Sequence, residues 1–207
     1  FREKYKLERI VVVADSGLMS NQNIRELKEN NYQYIIGARI KNESEEIKSQ
    51  VLKLDLKDGE SAIIKKQSID RLIVGYSLQR AKKDSYNRKR GIEKLEKLIS
   101  TGQLTKKHIN NKGYNKYLIL KGEINIAIDY EKYKMDSKWD GLKGYFTNTN
   151  LSKEEVIEQY TQLWNIEKTF RISKTDLRIR PIFHYLKRRI ESHICISFAA
   201  CVVYKEL

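Results

Sequence analysis

The sequence predicts an α/β fold, and three observations predict it. A β-prone run from Ile10 to Val13, a helix-prone stretch and a second β-prone run, "YQYIIGARI", succeed one another within the first 40 residues. That order and spacing make a βαβ unit, which builds a parallel pair of strands through a right-handed crossover. Short alternating β segments then occupy the middle of the chain, and helical periodicity dominates its last third.

The first strand runs from Arg9 to Ala14 and ends on a carboxylate, Asp15, before a turn at Ser16 and Gly17 and a helix over about Asn21 to Asn30. From about Lys41 the segments "VLKLDL", "SAIIKK", "DRLIVGYS", "KYLILK" and "EINIAIDY" read as strands. One charged, helix-prone stretch, "RAKKDSYNRKRGIEKLEKLIS", interrupts them, so residues 41–138 are expected to form a mostly β insertion. At "WDGLKGYFTNTN" the chain returns to a core strand, Leu142 to Thr147. Ser152 and Glu155 then form a capping box. They open the strongest helix of the sequence, with Val156, Tyr160, Leu163, Trp164 and Phe170 at helical spacing. A last helix is expected from about Tyr185 to Lys205, buried because its second half is apolar on all sides. The expected organisation is thus a core in two parts, residues 1–40 and 139–207, separated by the insertion.

Composition narrows the function. No apolar run reaches the roughly 18 to 20 residues that a membrane helix needs, and the charged N-terminus is no signal peptide. The expectation is a soluble, cytoplasmic protein. Cys195 and Cys201 lie six apart on one helix, about 240° around its axis, which disfavours a bridge. No Cys/His spacing suggests zinc. The net charge of +14 implies an anionic partner, with nucleic acid first. Codon bias could inflate lysine alone, but it does not account for a local run of arginines. Between Lys168 and Ile190 stand eight Lys or Arg (Lys168, Arg171, Lys174, Arg178, Arg180, Lys187, Arg188, Arg189) and one acid, Asp176.

Two carboxylates are the candidates for chemistry. Tyr160, Glu167 and Lys174 are seven residues apart in turn, so on one helix they form a stripe with about 20° of drift per step. Trp164 and Phe170 flank that stripe and are expected to carry Glu167 into an interface, where an acid needs a basic or cationic partner. The alternative is a solvated Glu167 paired with Lys168 or Arg171. Asp15 stands at the carboxyl end of a parallel strand, where functional groups collect in open sheets. It is either a hard oxygen ligand suited to Mg²⁺ or simply the cap of a turn.

At these residues the chain resembles the DDE insertion-sequence transposases with a YREK signature, the superfamily named after insertion sequence four. The signature is Tyr, two residues, Arg, three residues, Glu, six residues, Lys. "YTQLWNIEKTFRISK" supplies Tyr160, Glu167 and Lys174 at that spacing, with Leu163 at the Arg position. "VVVADSGLMS" is similar to the strand of the family's second aspartate, "WDGLKGYFTN" to the strand that re-enters the core, and "RIRPIFHYLKRRIESHI" to the segment after the signature.

The resemblance implies a ribonuclease-H-like core interrupted by the insertion and closed by two C-terminal helices. It implies metal-dependent cleavage and joining of double-stranded DNA at transposon ends and target, with cytoplasmic, nucleoid-associated action. Three carboxylates would hold two divalent ions, Mg²⁺ or Mn²⁺, about 3.5 to 4 Å apart. Asp15 and Glu167 map to the second and third carboxylates; Tyr160 and Lys174 map to DNA contacts near the scissile phosphate. Arg171, Arg178 and Arg180 are further DNA-binding candidates, and a homodimer in a DNA complex is a family expectation. Asp129, Asp136 and Asp140 fall in or beside the insertion and are not assigned to the site. The family's first aspartate lies on an earlier strand, and the chain opens on Phe1, so the sequence is expected to represent the C-terminal part of the catalytic domain. The competing readings are a DNA-binding remnant or regulatory fragment without catalysis, and a structural domain whose charge is compositional.

Overall fold

A computed structural model describes residues 10–66, 70–122 and 125–206. The chain runs β1 (Val11–Ala14), α1 (Asn21–Glu29), β2 (Gln33–Ala38), α2 (Glu45–Leu52), β3 (Ser61–Lys65), β4 (Arg71–Tyr76) and α3 (Leu78–Ser100). It continues through β5 (Leu118–Lys121), β6 (Asn125–Ile128), α4 (Tyr130–Ser137), β7 (Leu142–Thr147), α5 (Lys153–Thr161), α6 (Leu163–Thr175) and α7 (Lys187–Glu206).

Five strands form one mixed sheet in the order β1-β2-β7-β4-β3. The βαβ unit is present: β1 and β2 are parallel, with Val11 opposite Gln33 and Ala14 opposite Ile36. β7 returns antiparallel to β2, and β4 and β3 extend the sheet in antiparallel pairs. Strand residues alternate between two buried faces, as a period of two requires. Tyr34, Ile36 and Phe146 pack under α1 with Ile24 and Leu27. Leu72 and Val74 continue that face under α2 with Val51. Ile35, Ile73 and Tyr145 point to the opposite face, where Val156, Ile157 and Tyr160 of α5 cover them. The "TN" that ends β7 clasps the start of β2. The Thr147 hydroxyl donates to the Tyr34 carbonyl at 2.7 Å, and Asn148 accepts from the Tyr34 N–H at 2.9 Å.

The middle of the chain differs from the mostly β expectation. Residues 41–138 carry α2, α3 and α4 as well as four strands, and α3 alone spans 23 residues. "VLKLDL" alternates like a strand, yet Val51 and Leu52 end a helix that starts at Ser44, whose hydroxyl accepts from the Ile47 N–H. The cap and the acids Glu45 and Glu46 in the first turn outweigh the period-two pattern. β3 and β4 join the main sheet; only β5 and β6 form a separate hairpin, packed by Tyr117, Leu118 and Ile128 on Ile92 and Leu95 of α3.

The C-terminal helices differ too. The long helix expected from Lys153 is interrupted at Gln162, which closes α5 and precedes α6 while keeping helical angles (φ −60°, ψ −21°). α7 is not buried. Ile196 and Phe198 are each 69% exposed, and among its described residues only Cys201 is buried. α7 meets α6 along a narrow seam at which Cys201 lies beside Ser173, so one line of its apolar surface is covered. Both cysteines are free.

Candidate active site

Asp15 follows β1 and caps the short 3-10 turn Ser16–Leu18, its Oδ1 accepting from the Gly17 N–H at 2.8 Å. The capping reading is therefore correct for one oxygen, and the exposed carboxylate keeps acceptor capacity on the other. In the neighbouring strand, Gly37 is the floor on which the Tyr160 phenol rests. A Cβ at Gly37 would stand 2.6 Å from the Tyr160 hydroxyl and 3.0 Å from the Ser16 nitrogen. The hydroxyl thus lies over the carboxyl ends of β1 and β2, beside the turn that Asp15 caps. Tyr160 is held there by an edge-to-face contact with Tyr145 (4.9 Å between centroids) and by the Lys143 ammonium 4.3 Å above its ring.

The charges at this end of the sheet register on one another. Burial raises the Tyr160 phenol above its ordinary pKa, the negative charges of Asp15 and Glu167 raise it further, and Arg80 opposes them. Burial pulls the Lys143 ammonium below its ordinary range, assisted by Arg80 and opposed by Glu167. Two carboxylates remote in sequence, a phenol and two cations therefore share one neighbourhood. The start of α3 is fixed to it by three links to the beginning of β7. The Ser77 N–H donates to the Gly141 carbonyl at 3.0 Å, the Gly141 N–H donates to Asp84 at 3.3 Å, and Arg88 forks onto both oxygens of Asp140. Gly141 needs its lack of a side chain, since its φ is +79° and a Cβ would stand 2.8 Å from the Ser77 carbonyl oxygen.

Glu167 is exposed and joins no ion pair among the described residues, so neither Lys168 nor Arg171 neutralises it. The interface expected around it is not formed by this chain. Trp164 and Phe170 are 56% and 60% exposed, because α6 buries Ile172 and turns Thr169 and Ser173 toward α7. Lys174 is two turns further along α6, and Arg171, Arg178 and Arg180 continue the exposed basic surface. None of these four joins an ion pair among the described residues. Arg178 has φ +47°, in the left-handed region, where the chain turns away after α6. Asp129, Asp136 and Asp140 have structural partners: Asp129 caps α4, Asp136 accepts from Lys41, Lys116 and Tyr117, and Asp140 pairs with Arg88.

Lys143 and Arg80 were not singled out by the sequence. Lys143 carried a signal, a lone lysine in an otherwise strand-like "LKGYFT"; Arg80 is one cation among many in a basic helix and carried none.

The family profile described as Transposase DDE domain matches residues 1–203. The chain belongs to this family. No curated protein and no solved structure matches it. Membership in the transposase DDE-domain family gives the cluster of Asp15, Tyr160 and Glu167 its context: DNA transposition, with DNA as substrate and divalent metal ions in general use. Carboxylates are the donor type that suits a hard cation, and here they stand beside the cations Lys143 and Arg80. Among the described residues no group of three His, Cys, Asp or Glu stands together to hold a metal ion. No described helix is long and apolar enough to cross a membrane.

Proposed function

We propose that this chain supplies two of the three catalytic carboxylates of a YREK-type DDE transposase with a ribonuclease-H-like core. What supports the reading is the Tyr160 hydroxyl resting over Gly37 and the Ser16 nitrogen, beside the turn that Asp15 caps, with Asp15 and Glu167 both near enough for their charge to raise the phenol. Asp15 and Glu167 would hold Mg²⁺ or Mn²⁺, which in such sites activates an attacking oxygen and stabilises a leaving one. The protein's own part is position and charge. Asp15 is aimed by its bond to the Gly17 N–H, Tyr160 is wedged over Gly37, and Lys174 offers a point charge to a phosphate. Arg171, Arg178 and Arg180 extend that contact along the DNA backbone.

The reaction on this reading is attack of water on the phosphodiester at a transposon end, followed by in-line attack of the freed 3′-hydroxyl on target DNA. β1 forms one edge of the sheet among the described residues, so a strand added there would set a third carboxylate beside Asp15. On this reading β2 and β7 join the two parts of the core, β3 and β4 extend the same sheet, and the insertion proper is narrower than residues 41–138, comprising α3, the β5–β6 hairpin and α4. A homodimer on DNA and nucleoid association belong to the same proposal.

Glu167→Gln in the complete transposase is the test. It is expected to abolish Mg²⁺-dependent cleavage of a transposon-end duplex and leave DNA binding intact. Cleavage at the wild-type rate would sink the reading. Among the described residues no third carboxylate joins Asp15 and Glu167 in a group that could hold a metal ion. The 207-residue chain by itself is accordingly expected to bind DNA without cutting it.

A further inference from the structure

A cavity of about 650 Å³ lies between the first turns of α3, the segment after β2 and the start of β7. Its cations are Arg39, Lys41, Arg80, Arg88, Lys116 and Lys143. Three of these are hydrogen-bonded to acids: Arg88 to Asp140, and Lys41 and Lys116 to the one carboxylate of Asp136. The other three are not. Arg39 and Lys143 join no ion pair among the described residues, and Arg80 has only a 3.6 Å contact with Asp84. The cations that lack a hydrogen-bonded acid are therefore those on the side of Arg39, Arg80 and Lys143. That side is also the wall of the candidate active site, because Arg80 and Lys143 both belong to the neighbourhood of Glu167 and Tyr160.

Two cations held close together without a hydrogen-bonded acid, one of them half-buried, are an unfavourable arrangement unless an anion joins them. Each of the other three cations has a hydrogen-bonded carboxylate, Lys41 and Lys116 sharing one, so the cations without such a partner are those of this wall. The residue types fit a phosphodiester: Arg presents a planar fork to phosphate oxygens and Lys a compact charge. We propose that Arg80 and Lys143, with Arg39 behind them, hold backbone phosphates of the DNA strand adjoining the scissile bond, and that the strand runs through this cleft. The contact is to backbone and carries no base sequence. The proposal rests on the DNA-cleaving reading above and adds to it a strand path along the insertion that the YREK residues do not define.

The test is equilibrium binding of the 207-residue chain to a fluorescent 20-base-pair duplex over a range of NaCl concentrations. Wild type is compared with Arg80→Gln, Lys143→Met, the double variant, Lys143→Arg and a control, Lys65→Gln, on the opposite edge strand β3. Each neutralised phosphate contributes about 0.9 to the log–log salt slope. Each charge-removing variant is expected to lower the slope by about 0.9 and the pair by about 1.8, while Lys143→Arg and Lys65→Gln keep it. Arg80 is exposed, so its variant reports on binding even if Lys143→Met fails to fold. An unchanged slope in the Arg80→Gln and double variants overturns the strand path and leaves the parent reading standing. Absence of DNA binding by wild type overturns both. Competition by inorganic phosphate at the same concentration as DNA phosphate would replace a strand path with a free-anion site.

Discussion

Gly37→Ala should displace Tyr160 from the candidate site without disturbing the backbone of β2. The added Cβ would stand 2.6 Å from the Tyr160 hydroxyl, where ordinary contact begins at 3.4 Å, so the phenol must retreat by about 0.8 Å. Overpacking of this kind costs about 1–3 kcal/mol. Replacing a strand glycine by alanine returns about 0.5–1 kcal/mol through the unfolded chain. The net expectation is a loss of about 1 kcal/mol in urea unfolding. Tyr160→Phe removes the clashing oxygen and leaves the Ser16 nitrogen at 3.0 Å and the ring carbon at 3.3 Å, so Gly37→Ala should cost clearly less in the Tyr160→Phe background than in the wild type. The cycle should thus be non-additive. In the complete transposase the same displacement should slow DNA cleavage by as much as about 100-fold, the cost of misplacing a catalytic-site group by nearly 1 Å. An additive cycle, or a Gly37→Ala variant more stable than wild type, would refute the placement of the phenol over Gly37.

Three further outcomes are expected. Arg88 and Asp140 form a forked pair whose side chains are 10% and 17% exposed, so removing either partner should cost about 3–5 kcal/mol in denaturant unfolding, whereas the joint change Arg88→Met with Asp140→Leu should cost far less. Equal losses in single and joint variants would contradict this. Burial works to raise the Asp136 carboxyl, but hydrogen bonds from Lys116 and Tyr117 and the charges of Lys41 and Lys116 outweigh it and hold it at about 2. Its folded pKa is depressed, so its stabilisation of about 2 kcal/mol is full above the unfolded value near 4 and fades as pH falls toward 2. Asp136→Asn should remove that part of the acid limb in pH-dependent unfolding. Finally, Glu167→Gln and Asp15→Asn should each lower the pKa of the Tyr160 phenol, followed by ¹³C-tyrosine NMR; an unmoved resonance would separate these groups in space.

The sheet's first unit was legible because hydrophobic periodicity and spacing determine it locally. Ile35 and Ile36 are wholly or almost wholly buried on opposite faces, and a run apolar at every position is what two covered faces require. The insertion was less legible. A helix such as α2 is set by a cap at Ser44 and acids in its first turn, while its short apolar run reads equally well as a strand. α7 shows a different failure: apolarity on all sides predicts burial, but burial needs a partner surface, and α6 covers only the line through Cys201. Of the candidate site, Tyr160 and Glu167 were singled out by their seven-residue spacing and Asp15 by its place at the end of a core strand. Arg80 and Lys143 join them only through the antiparallel return of β7 and the tether of α3 to Gly141, which no local pattern announces.

The central claim, that Asp15 and Glu167 together bind a divalent cation beside Tyr160, is tested most directly by adding Mn²⁺ to the isotope-labelled 207-residue chain and mapping paramagnetic broadening. The account predicts broadening centred on Gly17, Tyr160 and Glu167, and its loss in both Asp15→Asn and Glu167→Gln. Broadening centred elsewhere, at Glu43, Glu45 and Glu46 for example, or persisting unchanged in either variant, would contradict it.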